Sequence, residues 1–324
     1  MNQYKDLRKI GEGNFSTVYV GRRNSLSYNN SKVEVIKMVR VSLGQSAPAV
    51  AALKSSLREL ALFRSIGFHE NIVDFYDCFA DQGCICFRME WLDTDLDKLL
   101  LKLDYALPLQ VVARISNDFF SGLAYLHSLR MIHRDIKPGN LLFSSVAGIC
   151  KIADFGLARG LDSEENLETF GSREVCTRWY KAVEVIIGSS KHSMAMDIWS
   201  AGCVLAELFN HGPLFPGVSD INQLFLIYSA LGKPNEFARP FIMESPVETN
   251  WRTLVPRADN TGVEVLQGCF KYDPQQRATA KDLLKHDFFK QNICRRELAL
   301  LISDQLSRST YDRSAYFLIQ YECN

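Results

Sequence analysis

Nowhere in the 324 residues is there an uncharged apolar run approaching the roughly 18 residues that a membrane-spanning helix needs. The opening stretch, MNQYKDLRKIGEG, is polar and charged where a secretory signal carries an apolar core. A soluble, intracellular chain is therefore expected, without membrane insertion. Net charge is missing as well: 37 Lys and Arg residues balance 37 Asp and Glu residues. That balance argues against a general affinity for nucleic acid or anionic membrane. The nine cysteines are odd in number and show no paired CxxC spacing, so they make neither a disulfide framework nor a zinc ribbon. Only Cys84 and Cys86 lie close together, and on a strand they would share one face, which favours plain packing over metal binding. Internal repeats and low-complexity segments are absent too. So is a complete G-x-G-x-x-G: Ser16 stands where the third glycine would be, and a strand follows where a dinucleotide fingerprint needs a helix.

What remains is ordinary globular composition, with 47% hydrophobic and 23% charged residues, enough for two domains or for one domain with two lobes. The first 90 or so residues hold strand-like segments, STVYV, KVEVIKMV, IVDFYDCF and CICFRMEW, rich in β-branched and aromatic residues. One helical segment interrupts them. In AALKSSLRELALFRSI, Leu53, Leu57 and Leu60 recur at helical spacing and predict an apolar stripe turned to the core. Beyond about residue 95 helical patterns dominate, including QVVARISNDFFSGLAYLHSL, AMDIWSAGCVLAELF and INQLFLIYSALG. The expected class is α+β, with a β-rich part over 1–92, an α-rich part over 93–290 and a tail over 291–324 whose Tyr316 and Phe317 hint at docking.

Chemistry concentrates at four places. In GEGNFSTVYV, Gly11 and Gly13 sit between strand-like segments, where they suit either close backbone approach to phosphate or a simple hairpin turn. Lys37 ends VEVIK, and Glu59 lies on the helix beyond it, a pair able to aim an ammonium at two phosphates. The stretch MIHRDIKPGNLLF packs charged and polar residues between apolar ones, as a functional loop pinned between buried segments does. There Asp135 suits the orienting or accepting of a hydroxyl proton, Lys137 the neutralising of a transferring phosphoryl group, and Asn140 the holding of a magnesium ion. Asp154, in IADFGLAR, supplies a carboxylate for metal, with Phe155 expected to pack under the helix that carries Glu59.

With these motifs in this order, residues 4 to about 290 resemble the eukaryotic protein kinases. The resemblance implies a bilobal fold: a small β-rich lobe with one regulatory helix, and a larger α-helical lobe. It implies ATP and Mg2+ as cofactors and transfer to Ser or Thr of a protein substrate. It further implies catalytic residues Lys37, Glu59, Asp135, Lys137 and Asn140, metal ligands Asn140 and Asp154, and an ATP site formed by Ile10, Gly11, Gly13, Val18, Val35, Lys37, Met89, Glu90, Leu92, Asp95 and Leu142, with Trp91 in the hinge. Asp95 resembles the residue that meets the ribose, and reads equally as a helix N-cap. Thr177 resembles the tie between the peptide platform and Asp135 and Lys137. Glu184 with Arg277, and Asp197 with the catalytic loop, resemble family anchors.

TRWYKAVE and GPLFPGVSDINQLFLIYSALGKPNE resemble the cyclin-dependent kinases. Within them both the cell-cycle-related type, known for ciliary control, and the type that activates other members stay open. By that likeness Ser172 is the activating phosphorylation site, with Arg58, Arg134 and Arg159 as cationic partners of the phosphate. An upstream activating kinase and a cyclin or other activator are the implied partners, and the cytoplasm, nucleus or cilium the implied locations. Departures carry meaning: Asn14 and Phe15 replace an inhibitory Thr-Tyr pair, Val35 replaces an alanine above adenine, and Val183 replaces a proline. Lys181 stands where a bidentate arginine would favour proline after the target residue. The alternative from a different class is a kinase-shaped scaffold acting by binding.

Overall fold

The computed structural model describes residues 4–12, 16–23, 32–41, 47–103, 105–161, 177–189, 192–232, 249–291 and 293–308. Strands β1 (Tyr4–Glu12), β2 (Ser16–Arg23), β3 (Val33–Arg40), β4 (Phe75–Asp81) and β5 (Cys84–Glu90) form one antiparallel sheet in the order β1-β2-β3-β5-β4. Alternation along β3 puts Val35, Lys37 and Val39 on one face and Ile36 and Met38 on the other. On the first face, Lys37 lies between its cross-strand partners Val18 and Phe87, and Val35 between Val20 and Met89. On the other, fully buried Ile36 and Cys86 join Tyr4, with Met38, Phe79 and Cys84 packed around them. Cys84 and Cys86 thus serve as strand packing.

Helix α1 (Ala47–Ile66) covers the Lys37 face, rotated from the expectation. Leu53 and Leu57 are 38% and 53% exposed, and Leu60 is only partly buried. The buried line is instead Ser56, Glu59, Phe63 and Ile66. The reason is that one helical face cannot serve both patterns: Glu59 is drawn inward by Lys37, and the rings below select Phe63 at i+4. The third of the strand-like segments, IVDFYDCF, also begins later than its sequence suggests. Strand β4 starts at Phe75, while Ile72 pairs in parallel with Ile152 of the helical part.

That part begins with β6 (Thr94–Asp95), α2 (Leu96–Lys102) and α3 (Leu109–Ser128), followed by β7 (Met131–Ile132), β8 (Leu141–Ser144), β9 (Ile149–Ile152) and β10 (Arg159–Gly160). Then come α4 (Val183–Ile186), α5 (Met194–Asn210), α6 (Asp220–Leu231), α7 (Trp251–Leu254), α8 (Asn260–Cys269), α9 (Ala280–Leu283) and α10 (Arg295–Arg308). Helices α3 and α5 are the spine of the core, with Val111, Val112, Ile115, Phe119, Phe120 and Leu123 of the first and Trp199, Val204 and Leu205 of the second fully buried. Each such side chain contributes about 1.5–3 kcal/mol by leaving water. β8 and β9 form a hairpin on which the catalytic segment rests, and β6 joins it at Thr94–Phe143. The antiparallel sheet and helical remainder make the two-lobed α+β arrangement expected from the sequence. Part of the expected tail, from Arg295 onward, is helix α10, whose Leu298 and Ile302 are fully buried; Tyr316 and Phe317 lie outside the described residues. No helix among the described residues is long and apolar enough to cross a membrane.

Candidate active site

Four segments converge between the sheet and the helical part. From β3, Lys37 Nζ donates to Glu59 Oε1 of α1 at 2.8 Å and to Asp154 Oδ1 at 3.0 Å. Burial alone would lower the pKa of Lys37, but the carboxylates of Asp154 and Glu59 outweigh it and hold the ammonium protonated, well above its ordinary range. Asp154 is driven down to about 2, chiefly by the charge of Lys37. Glu59 is pushed upward by burial, against which the lysine acts.

Asp154 has a left-handed backbone, φ 60°, and its side chain accepts from Gly156 N at 3.4 Å in a short turn. The turn swings Phe155 into the core, where its ring meets Phe63 of α1 at 5.3 Å and His133 at 5.3 Å, both edge-on. Phe63 in turn stacks on Phe75 of β4 at 4.7 Å. Phe155 therefore does pack beneath the helix that carries Glu59, and this line of rings makes the placement of Glu59 depend on the Asp154 turn.

The catalytic segment follows β7. Its bend is held from below by Asp197 of α5, which accepts from the backbone N–H groups of His133 and Arg134 at 2.8 Å each and lies 3.0 Å from His127 Nε2. Burial would raise Asp197; the bonds from His127 and the loop overcome that and lower it. On this platform Asp135 is gripped from several sides. Asn140 Nδ2 donates to Asp135 Oδ2 at 2.9 Å and Lys137 Nζ lies 3.0 Å from the same oxygen, while Thr177 N and Oγ1 donate to Oδ1 at 3.1 and 3.2 Å. Lys137 Nζ also donates to Thr177 Oγ1 at 2.8 Å.

The donor set fits magnesium. The Asn140 amide spends its nitrogen on Asp135, leaving Oδ1 as a neutral oxygen donor, and Asp154 keeps its second carboxylate oxygen beyond Lys37 and Gly156. Asn140 O accepts from Ala153 N at 2.9 Å, which brings the two ligands side by side. Among the described residues no three His, Cys, Asp or Glu side chains group around a metal, consistent with a cation that takes most of its oxygens from phosphate and water.

Val35 lies opposite Met89 in the sheet, and Leu142 on β8 is partly buried. Leu92 is buried and Trp91 half-buried in the hinge. Ile10, Gly11 and Val18 belong to β1 and β2; Gly13, like Asn14 and Phe15, lies outside the described residues. The Glu90 side chain is engaged elsewhere, accepting from Asp74 N at 2.7 Å and from buried Lys151 Nζ at 2.6 Å. Of the two readings of Asp95, the structure shows the N-cap: its carboxylate accepts from Lys98 N at 2.8 Å and from Lys98 Nζ at 2.6 Å.

The remaining anchors are also in place. Arg277, its side chain fully buried, donates to both oxygens of Glu184 at 2.7 Å and lies over the Trp199 ring. Arg134 Nε donates to Leu157 O at 2.7 Å, and Arg159 on β10 pairs with Ile132, two residues before Arg134. Arg58 precedes Glu59 on α1; Ser172 lies outside the described residues. The sequence reading missed His127, Lys151 and Phe63. Each acts through a partner far along the chain, and only the helical spacing of Phe63 from Glu59 gave a signal. Compared with protein-family models, residues 4–289 match the protein kinase domain.

Proposed function

The chain belongs to the protein kinase family, and from that premise we propose that it is a serine/threonine kinase of the cyclin-dependent type, moving the terminal phosphoryl group of ATP to a hydroxyl of a protein substrate. The observation that carries the reading is the set of bonds that directs both oxygens of Asp135. A carboxylate so held is a positioned base, because a freely rotating surface charge would have to be ordered again for every turnover.

In this reading the acceptor hydroxyl is oriented by Asp135 and gives up its proton to that carboxylate as its oxygen joins phosphorus. Lys137, beside the base, attracts the phosphoryl oxygens in flight, and Lys37, aimed by Glu59, holds the phosphates that depart with the leaving nucleotide. Asn140 and Asp154 would hold magnesium, which when bound would supply positive charge against the phosphate oxygens. In this reading Val35 and the backbone of residues 89–92 would receive the adenine.

Regulation in this reading runs through a phosphate on Ser172, placed by an upstream kinase and bound by Arg58, Arg134 and Arg159. The exposed line of Leu53 and Leu57 on α1 supports a docked activator such as a cyclin. The same reading has the protein act in the cytoplasm or nucleus, in cell-cycle or ciliary control.

The test is transfer of labelled phosphate from ATP to a proline-directed peptide, with magnesium, by the parent, Asp135→Asn and Ser172→Ala. Loss in the first variant and reduction in the second support the proposal. Equal transfer by all three overturns it. A parent that stays silent even after treatment with an activating kinase and a cyclin points to a binding scaffold.

A further inference from the structure

Helix α10 begins beyond the matched kinase region, yet its first residue reaches two separate parts of the molecule. Arg295 Nη1 donates to Asp118 Oδ2 of α3 at 2.9 Å and to Gly148 O at 3.3 Å, while Nη2 lies 2.9 Å from Glu70 Oε2. Asp118 is 1% exposed, so its charge needs a partner; it also accepts from Cys150 N at 2.9 Å and from Arg114 at 3.1 Å. The fit is close: at Gly148, φ 59°, an added Cβ would meet Arg295 O at 2.1 Å.

Glu70 stands in the loop that carries the chain from α1 to β4. Its neighbours are bound to β9 by Asn71 Nδ2 to Cys150 O at 3.1 Å, Ile152 N to Asn71 O at 2.9 Å and Val73 N to Ile152 O at 2.9 Å. Tyr125 of α3 donates to Ile66 O, the last residue of α1, at 2.5 Å, and stacks on His69. The foot of α1 is therefore seated on the helical part, and the same helix carries Glu59 two turns before that foot. Resting on the kinase reading, we infer that Arg295 is a positioning residue for phosphoryl transfer, acting through Glu70 on this loop, so that the working catalytic unit extends through α10.

The experiment uses the full chain and the variants Glu70→Gln, Arg295→Lys and their double. Glu70→Gln leaves Arg295 on Asp118 and removes only a half-exposed pair, so the fold is kept and Tm stays within a few degrees. The expected result is a fall of about three- to tenfold in kcat/KM for ATP, with faster amide exchange at Val73 and Ile152 and unchanged exchange in α5. Lysine cannot span Asp118 and Glu70 with one fork, so Arg295→Lys matches Glu70→Gln, and the double variant loses no more than either single. Unchanged kinetics and exchange in Glu70→Gln overturn the inference, as does a uniform rise in exchange accompanied by a large drop in Tm. A parent that transfers no phosphate overturns the kinase reading, and the exchange data still decide whether Arg295 holds the loop.

Discussion

Thr177 and Asp135 are 42 residues apart in the chain, yet both the backbone N–H and the hydroxyl of Thr177 donate to Asp135 Oδ1. The catalytic segment and the end of the activation segment are thereby one unit. Shortening Thr177 to alanine keeps the N–H bond and removes the hydroxyl that also accepts from Lys137. We expect kcat to fall about ten- to a hundredfold and KM for ATP to change little, by peptide phosphorylation. An equal fall from Thr177→Ser would show that the methyl group matters instead.

Lys37→Met should abolish transfer, by at least about a hundredfold in kcat, since it removes a fixed charge at the phosphates. Circular dichroism and Tm should show a folded protein. Transfer at the parent's rate would end the assignment.

Glu207 is buried beside Tyr180, whose hydroxyl donates to it at 2.7 Å. Burial pushes its carboxyl up to about 8, against the pull of the Tyr180 bond. The folded state therefore binds this proton more tightly than the unfolded chain. Its contribution is complete below about pH 4.3, the unfolded value, and disappears as pH rises through 8. Unfolding in urea should show the parent losing stability between about pH 4.3 and 8 relative to Glu207→Gln. Parallel pH profiles would refute the assignment.

Arg277→Ala strips a buried guanidinium from Glu184 and should cost about 3–5 kcal/mol in urea unfolding. Arg277→Lys keeps charge but not the two-pronged contact, and should fall between the two. A cost below about 1 kcal/mol for alanine would mean the pair is not structural.

Val35→Ala should lower KM for ATP severalfold, because it reopens space opposite Met89 at the roof of the nucleotide site. Titration with ATP would read it directly; unchanged affinity would show that the extra methyl groups are accommodated.

The legible part of this protein was its charged chemistry. Lys37, Glu59, Asp135, Lys137, Asn140 and Asp154 stand in short motifs whose residue types have few other uses together, and the structure gathers them into two bonded groups, Lys37 with Glu59 and Asp154, and Asp135 with Lys137 and Asn140. The orientation of α1 was not legible, because Leu53, Leu57 and Leu60 make as good a stripe as Ser56, Glu59 and Phe63, and only the partner charge of Lys37 chooses between them. Asp95 was ambiguous for a related reason: the same carboxylate can face a ligand or cap its own helix, and the cap to Lys98 is what the structure shows. The bonds of Lys151 to Glu90 and of Arg295 to Asp118 were invisible, since they join residues 61 and 177 positions apart with no local pattern.

Three of the four tryptophans are distributed in a way that makes the protein its own optical instrument. Trp91 sits half-buried in the hinge, Trp179 lies in the segment after Thr177 with its Nε1 donating to Gly217 O, and Trp199 is sealed in the core under Arg277. A chain with only Trp91 retained would signal arrival of a nucleotide by its emission, one with only Trp179 would signal arrival of a peptide, and Trp199 would stay dark to both until the fold itself gave way.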